Sequence, residues 1–264
     1  GPFSGTPLRN RFRSVFSRAD MVLVRDPKSR ENLEKIGTPQ DRIRVRADAA
    51  FALRPSRYKR KPALYGENRL SIAISVREWK HFQTGDPEKR FQAYLGEVRD
   101  LASHLVRTHG ARITFLSTCQ GIPEYWTDDS EVAKDLLERM DDDVRSSVFL
   151  DQEFHPPKNL LDELQSFDAV VATRMHMAIL SLCAGVPVLA IAYEFKTLEL
   201  FSEMGLGDWA VNIEEIGERI LVNRADRLLG ELPQIRNEFD LAVSERRASA
   251  QSISNDIREL VDLS

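Results

Sequence analysis

Arg174 and His176 flank Met175 at the junction of two apolar runs, residues 169–173 and 175–184. The first run reads as a strand and the second as a helix. Arginine offers a planar, permanently charged fork that grips phosphate or carboxylate in a bidentate manner. An imidazole titrates near neutrality and can move a proton. The first turn of a helix carries free backbone N–H groups and a dipole that favours negative charge. Together these groups suit an anion on a molecule that also needs proton transfer. The plainer alternative is that Arg174 pairs with a local carboxylate and His176 is a surface residue at a helix start. Two more groups follow apolar strands, Arg77 with Glu78 after residues 70–76, and residues 117–121 after 113–116.

Other positions carry chemistry with less support. Glu194 and Lys196 follow the strand at 188–191 and either face a cleft or form an exposed ion pair, which contributes little. Arg25 ends an early strand and either touches a substrate across an interdomain cleft or braces Asp26. Asp151, Glu153 and His155 alternate along an extended stretch and imitate a metal site, but Pro156 and Pro157 follow and no fourth ligand is evident, so no metal is expected. His81, His104 and His109 show no partner in the sequence. Met175 and Met177 read most simply as core packing, as do Cys119 and Cys183.

The elements that must position these residues alternate. Residues 8–19 read as a helix with Phe12, Val15 and Phe16 inward. A strand at 21–24 leads to a helix capped by Asp26, with Pro27 in its first turn, Leu33 and Ile36 on its buried face, and Gly37 as its stop. A strand at 43–45 closes this unit. Residues 54–65 hold five basic side chains, two prolines and no acid; they read as a solvated linker or as a basic rim that steers anions. A second α/β series follows: strands at 70–76, 113–116, 147–150, 169–173 and 188–191, and helices at 88–108, 130–140, 157–165 and 175–184. Such alternation implies a parallel sheet with helices on both faces, so the fold class is α/β and Rossmann-like. Ligands in such sheets sit beyond the carboxyl ends of the strands. The expected division is a remnant of an N-terminal Rossmann-like domain at 1–54, a linker at 55–65, a C-terminal Rossmann-like domain at 66–231 and a charged helix at 232–264. A partial first sheet leaves an apolar edge, which predicts self-association or an additional partner segment.

Several segments, in order, resemble the polysaccharide pyruvyl transferase family. Residues 172–196 resemble its central signature: arginine-x-histidine, a small and apolar helix, glycine-x-proline at 185–187, an apolar strand, then Tyr193-x-x-Lys196. Residues 17–26 resemble its alanine-aspartate, apolar strand, arginine-acid segment. Asp48 to Phe51 resembles its aspartate-x-x-phenylalanine turn, Arg77 the arginine opening its second domain, and Gly1-Pro2-Phe3 a short run just after the main body of its first domain. The resemblance implies the second half of a two-domain architecture like that of the B class of glycosyltransferases. It also implies transfer of the pyruvyl group of phosphoenolpyruvate to two hydroxyls of a sugar or glycan as a cyclic ketal, without a separate cofactor. On that reading His176 and Arg174 are catalytic, and Arg77, Arg174, Met175, Lys196, Arg25 and Glu194 contact substrate. The rival readings are a nucleotide-sugar glycosyltransferase or epimerase of similar fold, and a non-catalytic binding protein.

Bulk composition narrows the classes. The chain has 264 residues, with 37 Lys and Arg against 41 Asp and Glu, so a formal net charge of −4 argues against nonspecific nucleic-acid binding. No apolar run is long enough to span a bilayer. No stretch at the start has the order of a signal peptide. Two cysteines are too few for a disulfide framework and fit a reducing compartment, which gives the expectation of a cytoplasmic protein.

Overall fold

A computed structural model describes residues 6–56, 69–122, 124 and 127–262. Gly1-Pro2-Phe3 and the basic side chains from Arg57 to Lys61 lie outside the described residues. The chain forms two compact units, one made of 1–52 with 244–264, the other of 53–243.

In the first unit, α1 (Thr6–Phe16) precedes β1 (Val22–Val24), α2 (Pro27–Lys35) and β2 (Ile43–Val45). β1 and β2 pair in parallel. Asp26 caps α2 as its sequence predicts, accepting from the Ser29 N–H at 2.6 Å. Val22, Leu33, Ile36 and Ile43 form the core, with Phe12 and Phe16 packed against it. Val15 departs from the expected pattern and is 63% exposed. The buried face of α1 follows the i, i+4 pair Phe12–Phe16; Val15 lies roughly 100° around the helix from Phe16 and so faces water.

The second unit contains β3 (Ser71–Ser75), α3 (Pro87–His109), β4 (Arg112–Phe115), α4 (Asp129–Glu138), α5 (Asp142–Arg145), β5 (Val148–Leu150), α6 (Pro157–Leu164), β6 (Ala169–Ala172), α7 (Met175–Cys183), β7 (Val188–Ala192), α8 (Phe195–Glu203), β8 (Ala210–Asn212) and α9 (Ile220–Gly230). Its six strands are all parallel, in the order β5-β4-β3-β6-β7-β8. This is the doubly wound order, and its direction reverses between β3 and β6. β6 and β7 are buried at every position, which is why they read as unbroken apolar runs. α3 packs with α5 and α9, and α6 with α7. α3 ends at Gly110, whose left-handed φ of 60° closes the helix.

α10 (Leu232–Asp262) contributes residues to both units. Within the first unit, the buried Asp256 receives the Arg46 guanidinium through Nε at 2.6 Å and Nη2 at 2.8 Å, and also pairs with Arg44. The Arg46 hydrogen bonds hold the Asp256 carboxyl below its ordinary range against the opposing effect of burial, and Arg44 adds to them. Because the folded pKa is depressed, this contribution to stability is present above the ordinary carboxylate pKa of about 3.9 and is lost as pH falls through the lower folded value. Amide protection across 244–262, measured relative to the intrinsic exchange rate at each pH, is therefore expected to fall on acidification through that range, and Asp256→Asn should reproduce the loss at neutral pH. Unchanged exchange in that variant would show that other contacts hold the segment. Among the described residues no helix is long and apolar enough to cross a membrane.

Candidate active site

The reversal point of the sheet lies between the strands that lead to Arg77 and Arg174. Thr173, fully buried, ties the two strand ends together: its N–H donates to Ser75 Oγ at 3.0 Å and its hydroxyl to the Ser75 carbonyl at 2.8 Å. The Tyr94 hydroxyl meets Thr173 Oγ1 at 2.9 Å and bonds the backbone of Arg77. Burial pushes the Tyr94 phenol up to about 12, so it stays protonated as a structural link.

Arg174 ends this run and occupies the N-cap position of α7, where no side chain caps the helix. Its guanidinium forms a two-pronged pair with Asp129, Nε to Oδ2 and Nη2 to Oδ1, each at 2.7 Å. The Asp129 side chain is 1% exposed and that of Arg174 18%. Ser117 Oγ donates to the same carboxylate at 2.7 Å. Burial works against the Arg174 cation, but the hydrogen bonds and charge of Asp129 outweigh it and hold its pKa above the usual arginine value. The carboxylate partner is thus not local in sequence: it comes from the first residue of α4. Nη1 makes no hydrogen bond among the described residues.

Arg77 is held differently. Its guanidinium carbon lies 4.1 Å from the Tyr193 ring centre and 5.2 Å from that of Trp79, and its Nε donates to the Glu78 carbonyl at 3.1 Å. No carboxylate pairs with it among the described residues. Cation–π contact fixes such a group without neutralising it. Trp79 and Tyr193 pack with centroids 4.6 Å apart. The Trp79 indole nitrogen is buried and has no hydrogen-bond partner among the described residues. A buried donor left unmade is costly, so a ligand oxygen at this place would be favoured.

The remaining sequence candidates are placed as follows. His176 is exposed in the first turn of α7, Met175 is half-buried beside it, and Met177 is in the core. Glu194 caps α8 by position, and its carboxylate lies 3.5 Å from Lys196 in an exposed pair. Arg25 belongs to the other unit, where it pairs with Asp48 at 3.0 Å rather than with Asp26. Asp151 meets His155 at 2.8 Å, while Glu153 reaches Asp151 only through its backbone N–H. Cys183 is buried as expected, but Cys119 is half-buried, because it sits in the loop after β4 and its thiol donates to the Thr127 carbonyl. In that loop Gly121 adopts φ +68°, and an added Cβ would lie 2.6 Å from the Gln152 carbonyl oxygen. His104 and His109, partnerless in the sequence, share Asp226. Asp129, Ser117, Trp79 and Tyr193 enter the site from structure; only Tyr193 and Ser117 had a signal, as a signature residue and as a residue past a strand end.

Solved structures of similar fold support the sheet's assignment. HepE of Anabaena, solved with UDP-glucose, aligns with a TM-score of 0.59 over 97% of this chain and 68% of its own, at 12% identity. Trehalose-6-phosphate synthase of Burkholderia multivorans aligns with 0.61 over 99% and 64%, at 14% identity. These likenesses establish a fold shared with B-class glycosyltransferases and epimerases. By sequence, the chain is 27% identical to the amylovoran biosynthesis protein AmsJ of Erwinia amylovora over 97% of its length, and it spans 62% of that relative. Residues 1–194 match the family described as polysaccharide pyruvyl transferase. With the arginine-x-histidine signature at the sheet's reversal point, the chain belongs to the polysaccharide pyruvyl transferase family.

Proposed function

We propose that the protein transfers the pyruvyl group of phosphoenolpyruvate to two hydroxyls of a sugar within a polysaccharide or glycan, giving a cyclic ketal and inorganic phosphate. Family membership supports transferase chemistry in polysaccharide biosynthesis. The observation that carries the donor is Arg77, a half-buried cation with no carboxylate partner among the described residues, one strand away from Arg174 and the uncapped start of α7. Phosphoenolpyruvate needs two anion sites, for its carboxylate and its phosphate. Arg77 and the Trp79 N–H suit one, and Arg174 Nη1 with the α7 N–H groups suits the other. Protonation of the methylene carbon makes C2 electrophilic, and a sugar hydroxyl adds there. Phosphate then leaves and the second hydroxyl closes the ring. One hydroxyl proton is accounted for on the new methyl group and the other on the released phosphate. His176 is the proton donor in this scheme.

Phosphoenolpyruvate should raise the thermal unfolding midpoint of the protein, whereas uridine diphosphate should not, because only a ligand of the folded state stabilises it. The reverse result would move the reading to a nucleotide-sugar enzyme of the same fold. Arg77→Ala should weaken phosphoenolpyruvate binding by roughly 2–4 kcal/mol, the usual loss on removing one side of a desolvated charge contact. It strands no buried acid among the described residues, so the protein should keep its stability. Calorimetry finding unchanged affinity would place the anion elsewhere.

A further inference from the structure

We infer that His104, His109 and Asp226 form a binding site for one divalent transition-metal ion, with zinc the best match to their ligand chemistry. The three residues come from the last turns of α3 and from α9. His104 Nε2 lies 2.8 and 3.0 Å from the two Asp226 oxygens, and His109 Nε2 lies 2.8 Å from Oδ1. All three ligand atoms lie within 4.8 Å of one another. Two imidazoles and a carboxylate suit zinc, whereas magnesium and calcium take oxygen ligands.

Three features favour a metal over a plain hydrogen-bonded cluster. Both rings present the same atom, Nε2, towards one carboxylate. Thr108 Oγ1 stands 3.3 Å behind the His104 ring at Nδ1. Without metal, the His104 Nε2–H donates to Asp226 and Nδ1 accepts from Thr108. With metal on Nε2, the proton resides on Nδ1 and donates to the Thr108 oxygen, the arrangement that orients a ligating imidazole. Finally, His109 is the last residue of α3, where the helix dipole favours positive charge.

Room and access are adequate. Bonds of about 2.0–2.2 Å in tetrahedral geometry separate ligand atoms by roughly 3.4 Å, so the present contacts need open by only about half an ångström. All three side chains are partly exposed, and His104 also lines a surface cavity of about 580 Å³. The site is distinct from the candidate active site. α3 starts beyond the carboxyl end of β3 and runs back along the sheet, so its end lies at the opposite edge from Arg77 and Arg174. A metal there would clamp α3 to α9.

Titration of the untagged chain with Zn²⁺ near neutral pH should show one saturable equivalent that Mg²⁺ does not displace. His104→Gln and Asp226→Asn should each weaken it by at least about tenfold. Co²⁺ gives a test without substitution: it should broaden the NMR ring signals of His104 and His109 and spare those of His81, His155 and His176. Absence of saturable binding, zinc affinity unchanged in His104→Gln/His109→Gln, or broadening centred on another histidine would each overturn the proposal.

Discussion

Replacing His176 with alanine is expected to lower turnover with phosphoenolpyruvate by about 10²–10⁴-fold, the range that a positioned general acid contributes. The expectation starts from its place. His176 is the second residue of α7, exposed, in a first turn that no side chain caps. An anion bound at that turn would sit beside the imidazole. If its proton goes to the methylene carbon, His176→Asn should do no better than alanine, because an amide can hydrogen-bond but cannot deliver the proton. If His176 only binds phosphate, His176→Asn should keep much of the rate and the loss should appear in KM. Solvent isotope gives an independent readout: product formed in heavy water should carry deuterium in its methyl group. An unlabelled methyl would remove protonation of that carbon from the mechanism, and the acid role of His176 with it.

The sheet was largely legible because buried parallel strands are short apolar runs between helical periods. β3, β4, β6 and β7 fall within one or two residues of where the pattern places them. β8 left no such mark: it has three residues, only Val211 is buried, and 3₁₀ turns flank it. The short α5 and the α8–α9 region were likewise unread. At the site, the positions of Arg77 and Arg174 followed from strand ends, but what surrounds each did not. Tyr193 follows β7, which is separated from β3 by β6, so its contact with Arg77 reaches across a strand. The Asp129 partner of Arg174 lies 45 residues away, at the start of α4 beside the Asp128 cap, and nothing in its local sequence marks the pairing. Pairings between elements depend on the order of strands, and local pattern does not encode that order.

That pairing sets the second large effect. Asp129→Ala and Arg174→Ala are each expected to lower folding stability by about 3–5 kcal/mol, because each leaves its partner as a buried, uncompensated charge. Asp129 is the more buried of the two and also holds Ser117, so its loss releases both the loop after β4 and the end of β6. Arg174→Lys should recover only part of the loss, since a point charge cannot reproduce the two parallel bonds at 2.7 Å. The double variant Asp129→Leu/Arg174→Met should be far less destabilised than the sum of the alanine variants, because both charges leave together. Denaturant unfolding measures all four. A shift below about 1 kcal/mol in Asp129→Ala would be the value of an exposed pair, and would mean that Asp129 does not hold Arg174 in solution. A shift in the expected range has a consequence for catalysis as well. Weak phosphoenolpyruvate binding by Arg174→Ala would then report a disordered α7 start as much as a lost anion contact, and Arg77→Ala becomes the cleaner test of the donor site.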